Sequence, residues 1–273
     1  MIDDIHLGKK EYNLICLTET QERVEKVTRN DAVFRHSVMR PEGDKRGGGL
    51  KVLGRVDSRV RLNLVPNVKS NDLMVLDGVI FGLELRLILV YFGCTKLTSG
   101  DDYHKNRVME KEIKSLIEGN SRRGLVVLGD FNGHLKILEN DRVEDANGRM
   151  VIRFMDEFNL QLMNADERCR GVYTWGRHNQ KSAIDMILVD NVVYGVCGTM
   201  VIDEAGDEVT FSDHNMVTLD LKIRERGRVR FGKKGDKENK VTREFIRKGT
   251  VWVKSFLEEL KEKGFEGMGF LEM

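Results

Sequence analysis

Short apolar runs rich in Val, Ile and Leu recur through most of the chain, and they restrict it to a fold built on sheets. They cover Leu14 to Leu17, Leu50 to Leu53, Leu73 to Ile80, Leu85 to Tyr91, Leu125 to Leu128, Ile184 to Val189, Val196 to Ile202 and Met216 to Ile223. Segments of this length and composition suit β-strands, several of them buried on both faces. Helical spacing interrupts them only twice. Met109, Ile113, Leu116 and Ile117 form one apolar stripe, with Asp101 and Asp102 before it and Gly119 after it; Val151, Phe154, Phe158 and Leu162 form the other. So few helices among so many strands exclude a regular strand-helix alternation. The pattern predicts a layered α/β sandwich of two packed mixed β-sheets with outer helices.

A chain of 273 residues with 40% hydrophobic composition can bury one large core. That core is expected over residues 1–223. From Arg224 the sequence RERGRVRFGKKGDKENK is too dense in charge and glycine to order itself, so residues 224–240 read as a linker. Beyond it Phe245, Trp252, Val253, Phe256 and Leu260 recur at helical spacing, which predicts an amphipathic helical tail over residues 241–273.

Charge excludes a protein that attracts nucleic acid over its whole surface, because 45 Lys+Arg stand against 44 Asp+Glu. Any polyanion site must be a local patch. Cys16, Cys94, Cys169 and Cys197 are scattered, with neither CxxC spacing nor the density of a disulfide framework, which predicts reduced thiols in an intracellular protein. The opening MIDDIHLGKKEY lacks the basic start and apolar run of a signal peptide, and no stretch has membrane-spanning length, so no membrane association is expected.

Four segments place acids, amides or an imidazole at predicted strand ends: the run to Thr18-Glu19, Gly129-Asp130-Phe131-Asn132, Ser182-Ala183-Ile184-Asp185, and Ser212-Asp213-His214-Asn215. Singly, each reads equally well as a turn cap. Together they hold the parts that phosphodiester cleavage requires. Glu19 and Asp213 offer hard oxygen ligands for Mg2+, Asp130 with Asn132 can hold and polarise a water, and Asp185 can orient His214.

The order Thr-Glu19, Val-Tyr91, Gly-Asp130-Phe-Asn132, Ile-Asp185 and Ser-Asp213-His214 resembles the endonuclease/exonuclease/phosphatase superfamily with its DNase I-like fold, over roughly residues 11 to 223. GDFNGH, the pair Thr174-Trp175, SAID and SDHNMV are similar to endonuclease domains of LINE-type retrotransposons and to craniofacial-development-protein-2-like sequences. The resemblance implies a Mg2+-dependent endonuclease, with Mn2+ as an alternative cation, that nicks DNA in the nucleus. It makes Glu19 a metal ligand and Asp213 an acid beside the metal. It makes Tyr91 a phosphate contact, Asp130 and Asn132 the pair that holds the attacking water, and His214, backed by Asp185, a phosphate contact. Either Asp130 or His214 can take the water's proton. Thr174 and Trp175 fall where the family touches DNA, amid Arg168, Arg170, Arg177 and Lys181.

The chain also departs from that family. The family's first strand, which ends in an asparagine, has no counterpart before Glu19, so one sheet is expected to lose a member and expose backbone edge groups. Phe92-Gly93-Cys94 replaces a proline-containing turn, and no reverse-transcriptase segment follows the linker. Two other readings compete with a nicking enzyme: an inactive remnant or interaction module on the same fold, and another chemistry of the superfamily on lipid head groups or RNA.

Overall fold

The structure, a computed structural model, describes residues 12–20, 33–39, 48–55, 59–95, 101–120, 123–138, 144–205, 212–224 and 246–255. The early strands are β1 (Leu14–Thr18), β2 (Val33–Val38), β3 (Leu50–Arg55), β4 (Val60–Leu64), β5 (Leu73–Ile80) and β6 (Leu83–Tyr91). Helix α1 (Asp101–Glu118), β7 (Gly124–Asp130) and helix α2 (Ala146–Phe158) follow. Four short strands come next: β8 (Gln161–Leu162), β9 (Cys169–Arg170), β10 (Trp175–Arg177) and β11 (Gln180–Ser182). The rest comprises β12 (Asp185–Val189), the one-turn helix α3 (Asn191–Tyr194), β13 (Cys197–Ile202), β14 (Val217–Arg224) and β15 (Ile246–Ser255).

Two mixed sheets result. One runs β2-β3-β1-β15-β14-β13-β9 and the other β4-β5-β6-β7-β12-β8, with β10 and β11 as a separate hairpin. Period-two alternation divides their side chains between cores. Leu14, Cys16, Leu50, Val52, Val217, Leu219 and Leu221 meet Met74, Leu76, Leu87, Leu89, Val126 and Leu128 between the sheets. On the second sheet the alternates Val75, Ile88, Val90 and Val127 face outward and are covered by Met109, Ile113 and Ile117 of α1 and Met150, Val151 and Phe154 of α2. The expected sandwich with outer helices is therefore present.

Both main helices end as their sequences dictate. Asp101 and Asp102 place negative charge in the first turn of α1. Asp145 caps α2, its carboxylate accepting from Gly148 N, and Asn159 closes that helix in the left-handed region.

The C-terminal segment departs from expectation. Residues Ile246–Ser255 form a strand where helical spacing predicted a helix, and β-branched Thr250, Val251 and Val253 with Gly249 account for it, since they favour extended backbone or disfavour helix. The remainder of the predicted tail and linker residues 225–240 lie outside the described residues. Strand β15 pairs in parallel with β1 and antiparallel with β14. Strand β1 is thus flanked by β3 and β15.

Candidate active site

Strand register builds the centre of the site. Parallel pairing of β6 with β7 sets Tyr91 beside Asp130, and antiparallel pairing of β7 with β12 sets Asp130 beside Asp185. The three residues form a row across the strand ends. Each shares the parity of inward-facing neighbours, Leu89 before Tyr91, Leu128 before Asp130 and Ile187 after Asp185, so the row faces the mouth between the sheets. From the opposite sheet β1 delivers Glu19, and the segment entering β14 delivers Asp213 and His214.

Asp130, Asp185 and His214 are all buried, and one ligand atom from each lies within 4.8 Å of the others. The His214 Nδ1–H donates to Asp185 Oδ2 at 2.8 Å. Burial works against a charged imidazole, but the negative field of Asp185, its hydrogen bond, and Asp130 and Asp213 outweigh it and raise His214 to about 10. Burial, then the charge of Asp185, pushes the Asp130 carboxyl well above the usual range, against the pull of His214. Tyr91 is likewise raised, by burial and then by Glu19 and Asp130, and it hydrogen-bonds Glu19. These sequence-identified groups thus belong to one electrostatic cluster.

Two site residues hold backbone conformations that side chains other than glycine seldom adopt: Glu19 at φ 51° and Asn132 at φ 43°. Such positions cost about 1–3 kcal/mol each and concentrate at functional sites. Asn132 is locked there by its neighbours. Its backbone N–H donates to Asp130 Oδ1 at 2.8 Å, and its Nδ2 donates to Phe92 O at 2.8 Å and Asp130 Oδ2 at 3.1 Å.

Thr174 and Trp175, expected from the resemblance to touch DNA, differ in exposure. Thr174 is fully buried, and its hydroxyl oxygen accepts from Ile184 N and Asp185 N, both at 2.9 Å, which fixes the start of β12. Trp175 is half-buried and its indole Nε1 donates to Asp213 Oδ2 at 2.9 Å. The same loop clasps the segment carrying His214: Gly176 N donates to Asp213 O, Asn215 N to Thr174 O, and Trp175 forms a β-bridge with His214. Of the expected basic patch, Arg168 is committed to Asp166 and stacks over Tyr194, whereas Arg170, Arg177 and Lys181 are exposed.

Sequence reasoning missed three amides. Asn164 donates to Asp185 O at 2.9 Å and accepts from Ile187 N at 3.1 Å, securing the other side of β12. Asn106 and Asn147 are buried behind the loops that follow β6 and β7. Spacing could have found them, because each sits on its helix's apolar stripe: Asn106 with Met109 and Ile113, Asn147 with Met150, Val151 and Phe154.

The donor set suits a hard divalent cation. Asp185 Oδ1 is buried without a hydrogen-bond partner, and it adjoins Asp130 and His214 in a cluster whose oxygens crowd one small volume. Glu19 and Asp213, the acids expected from sequence to hold the metal, act electrostatically on the same cluster, Glu19 on Asp130 and Asp213 on His214.

A two-sheet sandwich with these acids, amide and imidazole at its mouth defines the DNase I-like class. The family model described as endonuclease-reverse transcriptase matches residues 85–218, which contain Tyr91, Asp130, Asn132, Asp185, Asp213 and His214. Over that stretch the chain is similar to the endonuclease/exonuclease/phosphatase superfamily, and its architecture is the DNase I-like sandwich. No curated protein matches it by sequence. Among solved structures, the endonuclease domain of TRAS1, a telomere-specific non-LTR retrotransposon, is 17% identical, with 78% of this chain and 100% of that one covered and a TM-score of 0.55. An AP endonuclease from Archaeoglobus fulgidus is 16% identical over 80% and 91% of the two chains, with a TM-score of 0.58. The 3′ phosphatase NExo from Neisseria, bound to product DNA hairpin, is 16% identical over 77% and 89%, with a TM-score of 0.57. Among the described residues no helix is long and apolar enough to cross a membrane.

Proposed function

We propose that the chain is a divalent-cation-dependent endonuclease that hydrolyses DNA phosphodiester bonds, with Mg2+ or Mn2+ as the cation and a nuclear site of action. The observation that carries this reading is the convergence of Asp130, Asp185 and His214 in one buried cluster. A bound cation, held from the carboxylates of this site, would neutralise non-bridging phosphate oxygens and lower the pKa of water. Glu19 and Asp213 stand ready beside the cluster, Asp213 oriented by Trp175.

The remaining work falls to the protein's own groups. His214, charged at neutral pH and held by Asp185, donates from its other ring nitrogen to a phosphate oxygen. Asp130 accepts the proton of the attacking water, which the Asn132 side chain helps to orient. Tyr91 adds a hydroxyl donor to the phosphate. The exposed Arg170, Arg177 and Lys181 give the duplex backbone a local cationic surface.

Plasmid relaxation tests the reading. Supercoiled DNA with Mg2+ or Mn2+ should be nicked, and Asp130→Asn and His214→Gln should each lower the rate by about 100-fold or more. Intact plasmid with the unaltered protein, combined with no Mn2+ heat in isothermal titration, would leave a non-catalytic module on the same fold. Cleavage unaffected by both substitutions would locate the chemistry elsewhere. Release of phosphate from 3′-phosphorylated DNA without nicking would make the protein a phosphatase on the same site.

A further inference from the structure

Two asparagines outside the reacting cluster meet the backbone on which that cluster is built. Asn147 lies in the first turn of α2 and has no exposed surface. Its Nδ2 is shared among three carbonyl oxygens: Phe131 O at 3.0 Å, Asn132 O at 3.1 Å and Gly93 O at 3.1 Å. The first two belong to the Asp130-Phe131-Asn132 loop after β7, and the third to the loop after β6 that begins at Tyr91. One amide thus joins both loops that bear site residues.

Asn106 of α1 stands behind it. Its Nδ2 donates to Asn147 Oδ1 at 3.0 Å and to Gly93 O at 2.8 Å, while its Oδ1 accepts from Gly93 N at 3.0 Å. Gly93 is therefore held by both its N–H and its C=O, as a neighbouring strand would hold it. Close approach leaves no room for slack. A Cβ on Gly133 would come within 2.8 Å of Gly148 N, and one on Gly148 within 2.0 Å of His134 O. Asp145 completes the contact, its Oδ1 accepting from both Gly148 N and His134 N.

Fully satisfied buried amides specify one backbone arrangement, since leaving any member unpaired costs its desolvation. Asn132 needs such an arrangement, because its left-handed backbone persists only where the surroundings enforce it. We propose that Asn147, braced by Asn106, is a positioning residue that locks the Tyr91 and Asp130-Asn132 loops together and so sets the Asp130-Asn132 pair for phosphoester hydrolysis. The catalytic part of this inference rests on the nuclease reading; the clamp itself does not.

Amide hydrogen exchange and steady-state nicking by the full chain test both parts. In Asn147→Ala the Asn132 N–H should exchange on the order of tenfold faster or more, while the amides of Val126 to Leu128 in β7 keep their protection. Asn106→Ala should do the same to Gly93 N–H, whose acceptor it removes. For Asn147→Ala kcat should fall by about 10- to 100-fold with KM little changed, as for a displaced catalytic group. Asn147→Asp, which keeps the volume and the oxygen facing Asn106 but loses the shared donor, should resemble the alanine variant. Phe154→Leu, a core substitution on the same helix, controls for stability and should leave kcat near its original value at temperatures well below its melting point.

Unchanged exchange at Asn132 and Gly93 would overturn the clamp. Rescue by Asn147→Asp, or a kcat loss no larger than that of Phe154→Leu, would reduce Asn147 to packing and overturn the positioning role. If the unaltered protein nicks no DNA, the nuclease reading fails, while the exchange measurements still decide the clamp.

Discussion

Gly129→Ala offers a direct test of how β7, the strand that ends in Asp130, is seated. Gly129 lies in β7 immediately before Asp130, at φ +140°, between Val90 of β6 and Met186 of β12. A Cβ there would stand 1.9 Å from Val90 O and 2.9 Å from Val90 C and N. Carbon and carbonyl oxygen ordinarily approach no closer than about 3.3 Å, so the strands must part by roughly 1.4 Å or the site must distort. Neither movement fits ladder hydrogen bonds of about 2.7–3.2 Å. Overpacking of this kind costs about 1–3 kcal/mol and the backbone conformation another 1–3, giving about 2–6 kcal/mol in all.

For a domain of this size each kcal/mol lowers Tm by about 2–4 °C, so the variant should melt about 4–24 °C lower by circular dichroism. Gly82→Ala supplies the control, because Gly82 has φ +92° but no atom within 4 Å of the added Cβ. It carries the conformational cost alone. Melting of the two variants within about 2 °C of each other would refute the steric argument. Since Tyr91 and Asp130 flank the clash, Gly129→Ala should also lose nicking activity at temperatures where it remains folded.

Phe131→Ala should destabilise by about 3–5 kcal/mol in urea titration, because the fully buried ring packs edge-on against Phe92 at 5.4 Å; a loss below about 1 kcal/mol would contradict that packing. Trp175→Phe removes the donor to Asp213, a charge-assisted bond worth about 1.5–3 kcal/mol, and should slow nicking by roughly tenfold; an unchanged rate would show that Asp213 is oriented by other groups. The Asp77 carboxyl is held below its usual range first by its hydrogen bond to Arg86, with Arg123 assisting. A depressed carboxylate contributes stability that is present above its unfolded pKa of about 3.9 and is lost as pH falls through the folded value. Asp77→Asn should therefore be less stable than the original chain at neutral pH, with the gap in urea midpoint closing below about pH 4; a gap independent of pH would contradict the ion pair.

Apolar runs revealed the interior strands because these are buried on both faces and carry little else. Edge strands were harder. In β4, Val60 and Leu62 face inward while Arg61 and Asn63 are exposed, so only five residues carry the alternation, and β8 to β11 are too short to show a period at all. Acids and imidazole at strand ends were legible as residue types. Their neighbours were not, because the Tyr91, Asp130 and Asp185 row depends on which strands pair and in what register. Trp175 illustrates the limit: nothing in its own loop shows that its indole N–H reaches a carboxylate 38 residues away. Asn147 was within reach of periodicity, yet nothing in its own segment names Gly93 as its partner.

The seven-stranded sheet has consequences for the order of assembly. Among the described residues its halves, β2-β3-β1 and β14-β13-β9, meet through β15, and Cys16 of β1 pairs with Val253, far along the chain. Contacts so distant in sequence form late, since the loop between them must close first. On a ribosome adding roughly 5–20 residues per second, β1 waits on the order of tens of seconds for this partner. During that interval the strands leading to Glu19 and from His214 lack the strand that lies between them, and the nascent chain holds most of the proposed catalytic side chains without the sheet that aligns them. Translation of β15 thus becomes the step that joins the two halves of the site.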